Sequence, residues 1–226
     1  MEDWGAHAER EERRFRDGSE RLPEAPDERQ RQLTRMGNAA YGAGLAHLMR
    51  GEEAAREWLG RAASTYRESY EHAPPGSWGR PIGAIKAGLL AGDRERAADD
   101  ARWTLGEGAA EAESPIGIYA AALAYTVLAD YEHARVCADE IRTRGDFPHQ
   151  VADAIAFISA EDVLAYTEAV EAVLRSFEQR DEYLDDVPVA DTVIVLQTLA
   201  ARRGMAAELS SALLPTPPET AGGAPS

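Results

Sequence analysis

The chain has 226 residues, 44% of them hydrophobic, a formal net charge of −16 and one cysteine. That length and apolar share can bury a core unaided, and Cys137 alone builds neither a disulfide framework nor a thiolate metal cluster. Excess negative charge repels phosphate backbones and anionic lipid, which excludes nucleic acid and membrane surfaces as general partners, and no apolar run reaches the roughly 18 residues of a membrane span.

The start, M-E-D-W-G-A-H-A-E-R-E-E-R-R, has no basic stretch followed by an apolar one, so a cytoplasmic protein is expected. Almost every residue from Glu9 to Asp17 is charged, and only Trp4 and Phe15 are large and apolar. Residues 1–17 therefore read as an exposed or loosely docked helix, and Gly18 to Pro26 as a turn-rich linker. Pro26 suits a helix first turn, with Asp27 and Glu28 on the favoured side of the helix dipole. The spacing then predicts helices over about 26–50, 52–72, 78–91, 93–106, 115–129, 131–144, 148–159, 161–180 and 188–204. Gly51, Gly92 and Gly145 end three of them, while Pro74 and Pro75 stop another. Ser114–Pro115 and Asp146–Pro148 open two more. The apolar set Val163, Tyr166, Val170, Val173, Leu174 and Phe177 steps by three and four, one face of a helix. Thr192 to Leu196 is β-branched but has no partner strand, so it too reads as helix. The expected organisation is a charged N-terminal segment and linker at 1–25, a helical-repeat domain at 26–214 and a disordered low-complexity tail at 215–226.

One pattern recurs between paired helices: G-D-R-E-R-A at 92–97, A-D-Y-E-H-A at 129–134 and A-E-D-V-L-A at 160–165, with a degraded copy, G-E-E-A-A-R, at 51–56. Each intact copy has a small residue for a tight turn, an acid to cap the next helix and, four positions on, Ala97, Ala134 or Ala165 to let two helices approach. The chain from about 37 to 180 thus resembles the tetratricopeptide repeat, with Tyr125 at that motif's tyrosine place; most of the motif's other first-helix positions are absent. The resemblance implies an all-α fold of antiparallel helix pairs stacked as a short α-solenoid.

A second resemblance covers 78–215. The order W-x-x-x-I-x-A-I-K-A-G-L-L-A-G-D, then V-P-V-A-D-T-V-I-V-L-Q-T-L-A-A-R-R-G-M, then S-S-A-L-L-P is similar to the immunity-protein-49 family, all-α proteins of bacterial toxin–immunity systems. It implies a protein that binds and blocks a toxin.

Chemistry is sparse. His149 and Asp153 lie one helical turn apart and fit an acid–base or metal pair, or simply a first-turn histidine beside a surface acid. Asp130 and His133 resemble half of a di-iron motif whose other half is missing. The doublets Asp99–Asp100 and Asp185–Asp186 read as solvated charge, and Gly83 and Gly88 as packing glycines. No phosphate loop, nucleophile elbow or Cys–His arrangement is present, so neither a cofactor nor a metal is expected and a non-enzymatic protein is favoured over an all-α metal enzyme. Trp78, Lys86, Tyr119 and Tyr125 fall on the first helices of pairs, which line the inner curve of a solenoid. They are the candidate binding groove for a protein or peptide partner. Lys86 is the only lysine among 24 basic residues. The acidic excess fits either a surface adapted to high salt or an ordinary acidic protein with arginine-rich codon usage.

Overall fold

A computed structural model describes residues 2–145 and 147–216. Asp146 and residues 217–226, which hold most of the expected tail, lie outside the described residues. The described chain is all-α, without a strand. Its helices are α1 (Trp4–Glu20), α2 (Pro26–Met49), α3 (Ala54–Tyr70), α4 (Gly79–Leu90), α5 (Arg94–Gly106), α6 (Pro115–Val127), α7 (Tyr131–Arg142), α8 (His149–Ala160), α9 (Val163–Glu178) and α10 (Asp191–Ala201).

Local chemistry accounts for the boundaries. Asp93, Ser114, Asp130 and Asp162 cap α5, α6, α7 and α9, each side chain accepting the backbone N–H three residues on. Just before α3, α5, α7 and α9 one residue takes a left-handed conformation: Gly51, Gly92, Ala129 and Glu161, with φ of 69°, 69°, 61° and 57°. The third copy of the repeat is thereby re-registered by one residue. Its cap is Asp162 rather than Glu161, and Tyr166, not Ala165, lies four positions further on. Glu161 holds a place glycine would normally take, so its identity gives no hint of the turn.

Consecutive helices pack on one another from α1 through α10, and α4 also touches α6 while α6 touches α8. Small residues set the spacing. A Cβ on Gly88 would stand 3.1 Å from the backbone of Ala97, and one on Gly83 2.7 Å from the Tyr66 ring.

The N-terminal segment is not loose. Ala8, Glu11 and Gly18 are buried, Phe15 packs edge-on to Trp58 at 5.6 Å, and Met36 of α2 fills the space that a Cβ on Gly18 would need. Its charges are neutralised in place: Arg10 and Arg14 hold Glu11, and Arg14 also reaches Asp185. Helix α10 touches α4, α8 and α9. Arg202 and Arg203, just past its C-terminal end, donate to the carbonyls of Val127, Ile158 and Ser159 near the ends of α6 and α8. Those pairings tie the end of α10 to the C-terminal carbonyls of α6 and α8, where helix ends expose acceptors.

Candidate functional site

Residues at the start and along one side of α4 matter most. Trp78 precedes the helix and Ile82 and Lys86 follow it at helical spacing, which puts all three along one cleft of about 400 Å³. Thr34, Asn38 and Tyr41 of α2 and Tyr66 of α3 form further parts of its wall, with Ile116, Leu184 and Asp191 around the rest. Ile116 and Leu184 are 40% and 53% exposed, large apolar side chains left facing water at the opening.

Inside the cleft the polar groups are mostly satisfied. Lys86 Nζ lies 2.5 Å from Asp191 Oδ2 and donates to Thr192 Oγ1 at 3.1 Å. Asp191 also accepts from the Tyr41 hydroxyl at 2.8 Å and from the Thr192 N–H at 2.6 Å. Burial raises the Asp191 carboxyl, but Lys86, Tyr41 and that N–H outweigh it and hold the group below its usual range. The Tyr66 hydroxyl donates to Asn38 Oδ1 at 2.9 Å. Burial pushes both Tyr41 and Tyr66 up, so both stay protonated donors.

Arg80 differs. Its Nε donates to Ser69 Oγ at 2.8 Å and Thr34 Oγ1 at 3.2 Å, and its Nη2 to Gln30 Oε1. All three acceptors are neutral. The guanidinium is half-buried, and burial lowers its proton affinity.

Of the four groove residues expected from sequence, the structure brings Trp78 and Lys86 together in this cleft. Tyr119 is buried in the core beside Phe147, ring centres 5.0 Å apart, and its burial raises the phenol. Tyr125 stacks on His133 at 5.1 Å, away from the cleft lining. Trp78 also walls a second cleft with Tyr70 and Trp103, where Arg67 covers the Trp103 ring at 4.7 Å.

The remaining candidates separate. His149 is exposed, and Asp153 pairs with Arg142 at 2.6 Å. Asp130 caps α7 and pairs with exposed His133 at 2.9 Å, lowering its own pKa and raising the imidazole's. Asp100 is fully buried against Arg67, and Asp185 pairs with Arg14, so half of each acidic doublet is internal rather than solvated. Burial pushes the Cys137 thiol up to about 11, which removes it as a nucleophile at neutral pH. Among the described residues no three His, Cys, Asp or Glu side chains converge as metal ligands would. None of the described helices is long and apolar enough to cross a membrane.

Sequence reading missed Asn38, Tyr41, Tyr66, Arg80 and Asp191. They come from α2, α3, α4 and α10, and apart from Asn38 and Tyr41, three residues apart on α2, no spacing within one helix connects them. Comparison of the chain with protein-family models, with curated proteins and with solved structures found no match.

Proposed function

We propose that this protein is a non-enzymatic, tetratricopeptide-like array of helix pairs that recognises a segment of a partner protein. The left-handed turn shared by the four pairs α2–α3, α4–α5, α6–α7 and α8–α9 supports the stacked-repeat reading. Its first helices do not line an open groove, because α10 already packs on α4 and α8. The recognition site is then the cleft beside the N-terminal end of α10. The observation that carries this is the pairing of two exposed apolar side chains, Ile116 and Leu184, with a wall of Trp78, Tyr66 and Ile82. Apolar rims over aromatic walls are where partner side chains anchor.

The test is comparative capture from native extract, read by mass spectrometry, with wild type and with Ile116→Asp and Leu184→Asp. Both positions are exposed, so the helical spectrum should persist. Partners held by wild type should fall at least about tenfold with the variants, on the scale of one lost anchor near 1.4 kcal/mol. Unchanged capture would remove the cleft from the function.

A narrower reading is an immunity-type inhibitor whose partner is a toxin. The net charge of −16 favours a basic protein as that partner.

A further inference from the structure

Arg80 is a half-buried cation in a strongly acidic protein, and among the described residues no carboxylate lies within ion-pair distance of it. Lys86, in the same cleft, shows the ordinary outcome, since its charge is spent on Asp191. Neutral groups from α2 and α3 instead hold the Arg80 fork: Gln30, Thr34 and Ser69. They fix its orientation and leave its charge uncompensated. Nη1 makes no hydrogen bond to the described protein, and it is not among the side-chain atoms sealed from solvent without a partner. A half-buried guanidinium without a counter-ion is unfavourable in the free protein, and an incoming anion relieves that cost. Nη1, the nitrogen of the fork left without a partner, can donate a charge-assisted hydrogen bond to a carboxylate oxygen.

We infer that Arg80 is the anchor of a carboxylate subsite in this cleft, and that the bound segment carries its acid next to an apolar side chain lying against Trp78 and Ile82. This rests on the reading of the cleft as a peptide site. Asp191 is the acid that could oppose such a ligand, and its charge is already taken by Lys86 and Tyr41. The carboxylate can belong to a chain end or to an Asp or Glu side chain. The chemistry is the same, and the probes separate the two.

The full chain, isotopically labelled, is titrated with N-acetyl-phenylalanine, with N-acetyl-phenylalaninamide and with N-acetyl-aspartyl-phenylalaninamide, following the Trp78 indole resonance. A ligand of this size should bind with a Kd of about 1 mM. At least one carboxylate probe should bind about tenfold more tightly than the uncharged amide. Arg80→Gln should abolish that preference, and Arg80→Lys should keep part of it. Equal binding of all three probes overturns the subsite, as does a preference that survives in Arg80→Gln. The probe comparison uses the unaltered protein, so it decides the matter even if Arg80→Gln unfolds. Should the Ile116 and Leu184 variants lose their partner while no carboxylate preference exists, the peptide reading stands and the subsite falls. Should the preference exist while capture is untouched, the subsite stands as a small-molecule site and the peptide reading falls.

Discussion

Lys86 and Asp191 join the middle of α4 to the first residue of α10 across 2.5 Å, with the Tyr41 hydroxyl of α2 closing on the same carboxylate oxygen at 2.8 Å. Three helices far apart in the chain meet at one acid.

Replacing Lys86 with Met should therefore destabilise the protein by about 3 kcal/mol, because it leaves a largely buried carboxylate, 14% exposed, short of its counter-ion. The double variant Lys86→Met/Asp191→Asn should lose less than the single one, since no unpaired charge remains and the amide oxygen can still accept from Tyr41. Urea unfolding of the two single variants and the double, read as a double-mutant cycle, checks this. A double variant weaker than the single would mean that the pair is not a buried clamp.

Acid titration should show two opposed effects. Burial raises Glu11 and Asp100 in the fold, with Arg10 and Arg14 opposing it at Glu11 and Arg67 and Arg96 at Asp100. Their charged forms cost stability at neutral pH, and the cost is relieved as pH falls through the raised folded values. Asp191 is depressed instead, so its contribution is complete above its unfolded value of 3.8 and is lost as pH falls through the lower folded value. The thermal midpoint should rise as pH falls from neutrality toward the unfolded values of 4.5 for Glu11 and 3.8 for Asp100, then fall below 3.8 as Asp191 is protonated. In Glu11→Gln/Asp100→Asn the rise should be reduced while the fall remains.

Two helical glycines should respond with opposite sign. A Cβ at Gly44 in α2 would sit 2.6 Å from Leu59 Cγ and 3.1 Å from its backbone nitrogen, whereas one at Gly60 in α3 would meet nothing within 4 Å. Gly44→Ala should cost about 1–3 kcal/mol through overpacking. Gly60→Ala should gain about 0.5–1 kcal/mol through helix propensity. Denaturant midpoints of the two variants decide it.

Ala129 occupies the left-handed turn position with φ of 61°, where Gly92 serves in the preceding pair. Ala129→Gly should stabilise by about 1 kcal/mol, and Gly92→Ala should destabilise by at least as much. Equal effects of the same sign, in calorimetry, would sink the strain argument.

Self-repulsion should make the fold salt-sensitive. Raising potassium chloride from 0.1 to 1 M shortens the screening length from about 10 to about 3 Å. With a net charge of −16 the thermal midpoint should climb over that range. A flat response would mean that the charges are balanced locally, as Arg14–Glu11 and Arg102–Asp99 are.

The sequence by itself determined the all-α class and most helix boundaries, because capping and periodicity act between residues three or four apart. Asp93 bonds the Arg96 N–H whatever the rest of the chain does, and Pro26 opens α2 for the same local reason. The packing roles of Gly83 and Gly88 were legible too, since an apolar helix with bare positions has to meet a close neighbour. Only the tertiary structure decided that Glu11 is buried, because the groups that offset its desolvation include an arginine pinned by Asp185 from the other end of the chain. The same holds for α10 touching α4 and α8, and for Trp78 and Lys86 sharing a cleft from which Tyr119 and Tyr125 are separated. Arg80 makes the point most directly. A half-buried arginine looks like any surface arginine in sequence, and what sets it apart is which side chains from α2 and α3 arrive beside it. Local bonds are encoded by spacing; the charge environment of a side chain is encoded by chain closure, which brings together residues that no periodicity relates.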